Sequence, residues 1–469
     1  MRWMRFAAVG VCAALPALAQ AADLNGAQLA LWWAVPFAGL LLSIALMPLL
    51  AASFWHHHFG KVTAAWSLAF VLPLLWMYGL PATWANLVHA LLAEYLPFVI
   101  LLTALYVVAG GIYIRGSLTG TPLLNTAILA IGAVLASFMG TTGASMLLIR
   151  PLIRANAHRT RVVHIVVFFI FIVSNAGGSL TPLGDPPLFL GFLKGVDFSW
   201  TLLHIWPQAL FLVGVLLALF FVLDSWILKN DDSRLPTAAS DAVRERVGFD
   251  GQVNFVLLAV VVALVLMSGL WQSEVVFNVA GTDVGLPGLL RDAGLIAVAL
   301  LSLAITPKAV HQNNQFGWGP MQEVAKLFAG IFLTIIPVIA MLKAGVDGPF
   351  AAVVRAVTNP DGTPNTAMYF WATGALSSFL DNAPTYLVFF NTAGGDPAVL
   401  MTALAPTLVA ISAGAVFMGA NSYIGNAPNM MVKAIAEDRG VRMPSFFGYM
   451  LWSVGILVPL FVVMTFIWF

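Results

Sequence analysis

Ser174-Asn175-Ala176-Gly177-Gly178-Ser179-Leu180-Thr181-Pro182-Leu183-Gly184-Asp185-Pro186-Pro187 interrupts an otherwise apolar stretch, 161–195, and the architecture of the chain hangs on it. Glycine and proline break helices. A break inside apolar sequence strands backbone N–H and C=O groups, which is tolerable only where they are buried in protein or face a watery cavity. Ser, Asn and Thr add neutral oxygens, and Asp185 adds a carboxylate. Pro187 suits a first helical turn. A half-helix is therefore expected to start here and to aim its positive N-terminus at the break. Two roles are open to Asp185: ion ligand or proton carrier, and N-cap of that half-helix.

Around this segment, the 469-residue chain is 61% hydrophobic and 9% charged, with a net charge of +1. A soluble domain carries about 25% charged residues, so lipid must be the main solvent. No basic tract suggests nucleic acid. Cys12 is the only cysteine, which excludes disulfides within the chain and cysteine-type metal sites. Arg2 and Arg5, the apolar run Phe6 to Leu15, and Ala17-Leu18-Ala19 with Ala19-Gln20-Ala21 read as a signal peptide over 1–21. Its cleavage would leave the mature N-terminus outside the cytoplasm.

A span needs about 20 apolar residues. Full-length candidates are 28–53, 62–80, 85–114, 202–227, 253–271, 292–308, 320–345 and 446–468. Three further apolar stretches are interrupted like 161–195. Segment 120–156 breaks at Gly140-Thr141-Thr142-Gly143, 367–393 at Asp381-Asn382-Ala383-Pro384, and 400–437 at Gly419 to Pro428.

These interruptions repeat. One constant offset places Ser137-Phe138 on Ser378-Phe379, Gly178 on Gly419, Thr181 on Ser422, Gly184 on Gly425, Asp185 on Asn426 and Pro187 on Pro428. The chain thus reads as a first transmembrane repeat over 28–227, a cytoplasmic loop over 228–252 and a second repeat over 253–469. If 120–156 is a hairpin entering and leaving on the cytoplasmic side, most Lys and Arg fall inside, Arg150, Arg154, Arg159 and Arg161 among them. The 367–393 hairpin then enters from outside, and the two halves are inverted, as in many secondary transporters. The expected fold is an all-α polytopic membrane protein built from two inverted repeats with re-entrant hairpins and broken helices.

Most acidic residues, Asp224 among them, fall in loops or at span ends. Asp185 and Asp381 fall at membrane depth, where an ionisable group is expensive and marks function. Glu94 is assigned mainly to the outer interface. Each half contributes one carboxylate, from different elements. The candidate ion- or substrate-binding set is Asp185, Asp381, Asn382, Thr142, Asn175, Thr181, Asn421, Ser422 and Asn426. Carboxylate, hydroxyl, amide and carbonyl oxygens suit a hard cation such as sodium. A carboxyl withdrawn from water also takes up a proton more readily. Competition of a cation and a proton for one carboxylate is sufficient for exchange. Asp381 could instead only cap the second hairpin helix. The chain has no P-loop, no Gly-x-Ser-x-Gly and no His-Glu-x-x-His. ATP-driven transport and enzymatic chemistry are therefore not expected, and neither is a resident cofactor. Na+ and H+ are expected as cargo.

Asn175-Ala176-Gly177-Gly178 with Thr181-Pro182-Leu183-Gly184-Asp185-Pro186-Pro187, and Asp381-Asn382-Ala383-Pro384-Thr385, resemble motifs of the ion transporter superfamily. That superfamily includes NhaD-type sodium/proton antiporters, ArsB-type arsenite permeases, citrate–metal carriers and sodium-coupled dicarboxylate carriers. The resemblance implies a scaffold, a mobile transport part holding the hairpins, elevator-like motion and often a homodimer. Dicarboxylate carriers show Ser-Asn-Thr at both tips, whereas these tips read Thr141-Thr142-Gly143 and Asp381-Asn382-Ala383. Sodium/proton antiport in a bacterial-type inner membrane is the first expectation. Cation- or proton-coupled citrate or carboxylate transport, and arsenite-type efflux, are the alternatives. Partners are limited to membrane lipid and a small ion or small-molecule substrate.

Overall fold

The computed structural model describes residues 24–116, 118–230, 246–271 and 273–469. The signal peptide expected over 1–21 and most of the 228–252 loop lie outside the described residues. Among the described residues, seven helices are long and apolar enough to cross a membrane. They are Leu31–Leu50, Ala52–Gly110, Pro122–Ala155, Trp200–Lys229, Val253–Leu270, Leu286–Ile305 and Phe446–Trp468, and Gly319–Thr334 with Ile336–Lys343 makes an eighth, bent by 43°. Trp76, Leu451 and Phe466 lie bare on the outer surface, 90%, 76% and 87% exposed. Lipid tolerates such a surface; water does not. The chain is a multi-pass membrane protein.

The expected spans 62–80 and 85–114 are one 59-residue helical run whose backbone turns at Gly79. Gly79 adopts φ +77, a conformation natural only to glycine, and Pro81 opens the next helical turn. Two small β-ribbons were not foreseen. Tyr113–Arg115 pairs with Gly248–Asp250, and Val276–Val279 with Thr282–Gly285. The second ribbon turns at Ala280 and Gly281, both at positive φ, as two-residue hairpins prefer.

All four expected interruptions are present. Helix Pro122–Ala155 breaks at Gly140, where φ is +79 and ψ is 150. Its two arms return to one place. Gly120 N donates to Ala155 O at 2.7 Å, and Asn125 and Asn156 exchange amide hydrogen bonds of 3.0 and 2.8 Å. This segment is a hairpin, not a span. The second hairpin joins Thr366–Phe379 to Asn382–Thr392, with Tyr369 and Phe389 facing across its arms at 6.3 Å. Arms of 14 and 11 residues reach about 21 and 16 Å at about 1.5 Å per residue, short of a bilayer core of about 30 Å. The first broken helix runs Val163–Ile172, then a 3-10 turn Ala176–Ser179, then Pro186–Leu193. The second runs Ala405–Met418, Gly419–Asn421 and Ala427–Asp438.

Equivalent positions of the two halves make equivalent hydrogen bonds. Thr181 Oγ1 donates to Ser137 O, and its mate Ser422 Oγ donates to Ser378 O. Leu183 N donates to Thr181 Oγ1, and Ile424 N to Ser422 Oγ, both at 3.2 Å. Ser137 Oγ donates to Gly177 O, and Ser378 Oγ to Met418 O. In both halves a hairpin is thus stitched to its broken helix just below the tip. Helix Leu96–Gly110 packs on the first hairpin, and Ile336–Lys343 on the second.

The mouth of the first hairpin adds a burial that the sequence did not signal. Asp224, read as a span-end residue, is fully buried in Trp200–Lys229. Its carboxylate accepts from Arg159, from His164 at 2.8 Å and from Asn125 at 3.0 Å. Arg159 also donates to Gly120 O. Hairpin start, hairpin end and two helices meet there. A site at the end of one span therefore lies at the centre of four packed segments.

Candidate functional site

Asp185 stands between the 3-10 turn and Pro186, in extended backbone at φ −144 and ψ 143. It occupies the N-cap position of Pro186–Leu193, yet its side chain makes no capping bond to that helix. The carboxylate turns inward instead and is 2% exposed. It accepts from Thr141 Oγ1 at 2.9 Å, Asn426 Nδ2 at 3.0 Å and Asn382 Nδ2 at 2.5 Å. These donors come from the first hairpin tip, the second broken helix and the second hairpin tip. All four interruptions therefore converge on one carboxylate.

Asn426 is the repeat mate of Asp185, 241 residues on, and has the same extended backbone, φ −152 and ψ 137. Asp185 thus bonds the very residue that the constant sequence offset pairs with it. Asn426 also donates to Ser174 O and Asn175 Oδ1, at 3.1 and 3.2 Å. Asn175 in turn donates to Asn429 Oδ1 at 2.7 Å, and Asn429 ties back to Gly419 O and Ser422 O.

The breaks need glycine for room. A Cβ on Gly184 would lie 2.1 Å from the Gly178 carbonyl oxygen, and one on Gly425 would lie 2.5 Å from that of Gly419. Both contacts are backbone, so neither can swing away. Gly184→Ala and Gly425→Ala are each expected to lower the stability of purified protein by about 1–3 kcal/mol or more, read as a fall in melting temperature in detergent. An unchanged melting temperature would show that the crossing backbones part freely.

Asp381 is half-buried at the start of Asn382–Thr392 and does cap it, accepting from Ala383 N at 3.0 Å. Its charge also reaches Asp185. Asn382 gives its amide nitrogen to Asp185 and leaves its buried Oδ1 without a partner. Asn421 does likewise: Nδ2 donates to Ser378 Oγ at 2.9 Å, and Oδ1 is buried and unpartnered. Among the described residues, no Lys, Arg or His forms an ion pair with Asp185 or Asp381. The centre is thus rich in acceptors and carries no paired cation.

Of the nine residues singled out from sequence, Asp185, Asn382 and Asn426 bond directly, with Asn175 behind Asn426. Thr181 and Ser422 spend their hydroxyls fastening hairpins to broken helices. Thr142 is half-buried beside the tip, and its neighbour Thr141 makes the bond to Asp185. Thr141 N also donates to Gly184 O at 2.8 Å. Which of two adjacent threonines faces inward depends on the phase in which the helix restarts after Gly140. Asn429 and the Ser145–Ser174 hydroxyl pair, 2.9 Å apart, were also missed. The repeat held a clue for Ser137 and Ser378, which it superimposes; Asn429 is matched to an apolar Leu188 and gave none. Glu94 is buried and ion-paired with Lys194 at the far end of Pro186–Leu193, away from the tips.

A family model described as "Putative citrate transport" matches residues 26–469. The chain belongs to that family. It falls within the ion transporter superfamily that the two motifs resemble. No curated protein matches the chain. Membership makes this citrate-transport-family chain a secondary transporter, with its interrupted helices meeting at Asp185.

Proposed function

We propose that this family member is a sodium/proton antiporter whose Asp185 takes Na+ and H+ in turn. The observation that carries the reading is the convergence of both hairpin tips on a buried carboxylate, with the Asn382 Oδ1 beside it free to accept. Carboxylate and amide oxygens are hard ligands suited to a hard cation. A bare carboxylate is costly to move through lipid. It therefore travels neutralised, by a proton or by a cation, and the two exclude each other. That exclusion is exchange. The hairpins are fastened to the broken helices at Thr181 and Ser422, so tips and breaks would move as one body. In this reading the halves are oppositely oriented, and the N-terminus lies outside after signal cleavage.

A second reading is cation- or proton-coupled transport of citrate or a related carboxylate, favoured by the family description. There Asp185 holds the coupling ion. Purified protein in liposomes with an imposed pH gradient and an internal pH dye separates the two. Dissipation on adding sodium supports the antiporter. No response to sodium, lithium or potassium, together with uptake of labelled citrate, supports the carboxylate carrier.

Asp381→Asn keeps a side-chain oxygen for the cap, since Asn caps about as well as Asp. The hairpin should fold, while the sodium concentration for half-maximal exchange rises about tenfold, or ~1.4 kcal/mol of binding. An unchanged sodium dependence would reduce Asp381 to a cap.

A further inference from the structure

Arg150 lies in the second arm of the first hairpin, nine residues beyond Thr141 and so about 13 Å along the helix from the tip. It is 7% exposed. Its Nε and Nη1 are buried and have no hydrogen-bond partner, and Nη2 reaches Gln315 Oε1 only at 3.4 Å. A guanidinium does not lose its charge in a protein and carries five donors. A buried charge without a partner is strongly unfavourable. The neighbouring charges do not remove it. Asp438 and Arg439, adjacent and exposed at the end of Ala427–Asp438, both act on Arg150 with opposite signs. Among the described residues, no carboxylate lies within ion-pair distance of it.

The surroundings are built. Tyr106, Met146 and Met321 form a small cluster of their own, flanked by Phe316 and Met431, and Tyr106 Oη donates to Gly317 O at 2.7 Å. Gln315, which accepts that long bond, holds φ at +49, which a non-glycine residue seldom adopts. Four segments thus meet around Arg150: the hairpin arm, the Leu96–Gly110 helix, the loop before Gly319–Thr334 and the second broken helix. This seam lies between the stitched hairpin unit and the helices packed on it.

We propose that Arg150 is the centre of a small-oxyanion site at this seam, taking one carboxylate, or the equivalent edge of a phosphate, on an edge of its guanidinium. A planar pair of oxygens matches the guanidinium fork. The site goes beyond exchange at Asp185 and does not depend on it.

Melting temperatures of the purified full chain in detergent, at matched ionic strength, test the proposal with sodium citrate, inorganic phosphate and sodium chloride. Citrate or phosphate should raise the melting temperature by at least about 2 °C over chloride, because an anion bound only to the folded state stabilises it. Citrate alone would make the occupant a carboxylate; both together, an oxyanion of either kind. The rise should vanish in Arg150→Gln. It should weaken in Arg150→Lys, which keeps the charge and loses the fork, and this second variant serves if the first does not fold. Asp185→Asn should keep the whole response, so failure of the antiport reading leaves this one intact. No rise over chloride in the natural chain overturns the proposal, and so does an equal rise in Arg150→Gln.

Discussion

Asp185→Asn should abolish coupled exchange while leaving the protein folded in the membrane. The substitution is nearly isosteric. The remaining side-chain oxygen would still accept from Thr141 and Asn426, as the Asp185 Oδ1 does now. The new amide would face the Asn382 Nδ2, donor against donor. Asn382 has an unpartnered Oδ1, so turning its amide over restores a bond. The net loss in stability should therefore stay within about 1–3 kcal/mol. The charge, however, is gone, and with it the group that a proton and a cation would share in the proposed exchange. Sodium-driven dissipation of a pH gradient should fall at least about 100-fold, to the rate of empty liposomes, equivalent to ~2.7 kcal/mol or more. Exchange close to that of the natural chain would remove Asp185 from the mechanism. Loss of exchange together with loss of folded protein would mark it as a structural residue.

Asp224→Ala should have the opposite profile: a large loss of stability with no direct action on the proposed ion site. Asp224 is the counter-ion of Arg159, and both side chains are 0% exposed. Removing one member of a buried pair leaves the other charge stranded, at about 3–5 kcal/mol. Asn125 and His164 lose an acceptor in the same step. The result should be a melting temperature lower by on the order of 10 °C, read in detergent. Loosening of the hairpin mouth should follow, because Arg159 and Asn125 both hold it. A shift under about 2 °C, within ordinary surface-substitution range, would show that Arg159 finds another partner and that the cluster does not hold the mouth closed.

The two clusters differ in how far they could be read from the sequence. Asp185 is announced by its setting: Gly184 before it and two prolines after it inside apolar sequence have no use in a plain span. The constant offset that pairs it with Asn426 is a covalent fact, visible without coordinates. The hairpin character of Pro122–Ala155 was also readable, because Arg150 to Arg161 would otherwise face the wrong side. Asp224 carries no such mark. It sits in an unbroken helix near a span end, and helices end in charged residues for ordinary reasons. Arg159 and His164 likewise look like loop and interface residues until Gly120, Asn125 and Asn156 are brought beside them. The β-ribbons depend on pairing of short strands, and only Tyr113–Arg115 needs a partner more than a hundred residues away.

The order of residues alone settles the membrane setting and the four breaks, and it points to a repeat and to carboxylates at depth. Each follows from local chemistry: apolar length, helix-breaking residues, and the expense of an ionised group in lipid. Packing in three dimensions settles which groups share that depth. It chose Thr141 over Thr142, turned Asp185 away from its own helix toward three donors, left the oxygens of Asn382 and Asn421 open, and stranded Arg150. Those outcomes turn on the rotation of each helix after its break and on which segment packs across from it. A one-residue change of phase turns a helix face by about 100°, and no local pattern fixes that angle. Packing against the other half does.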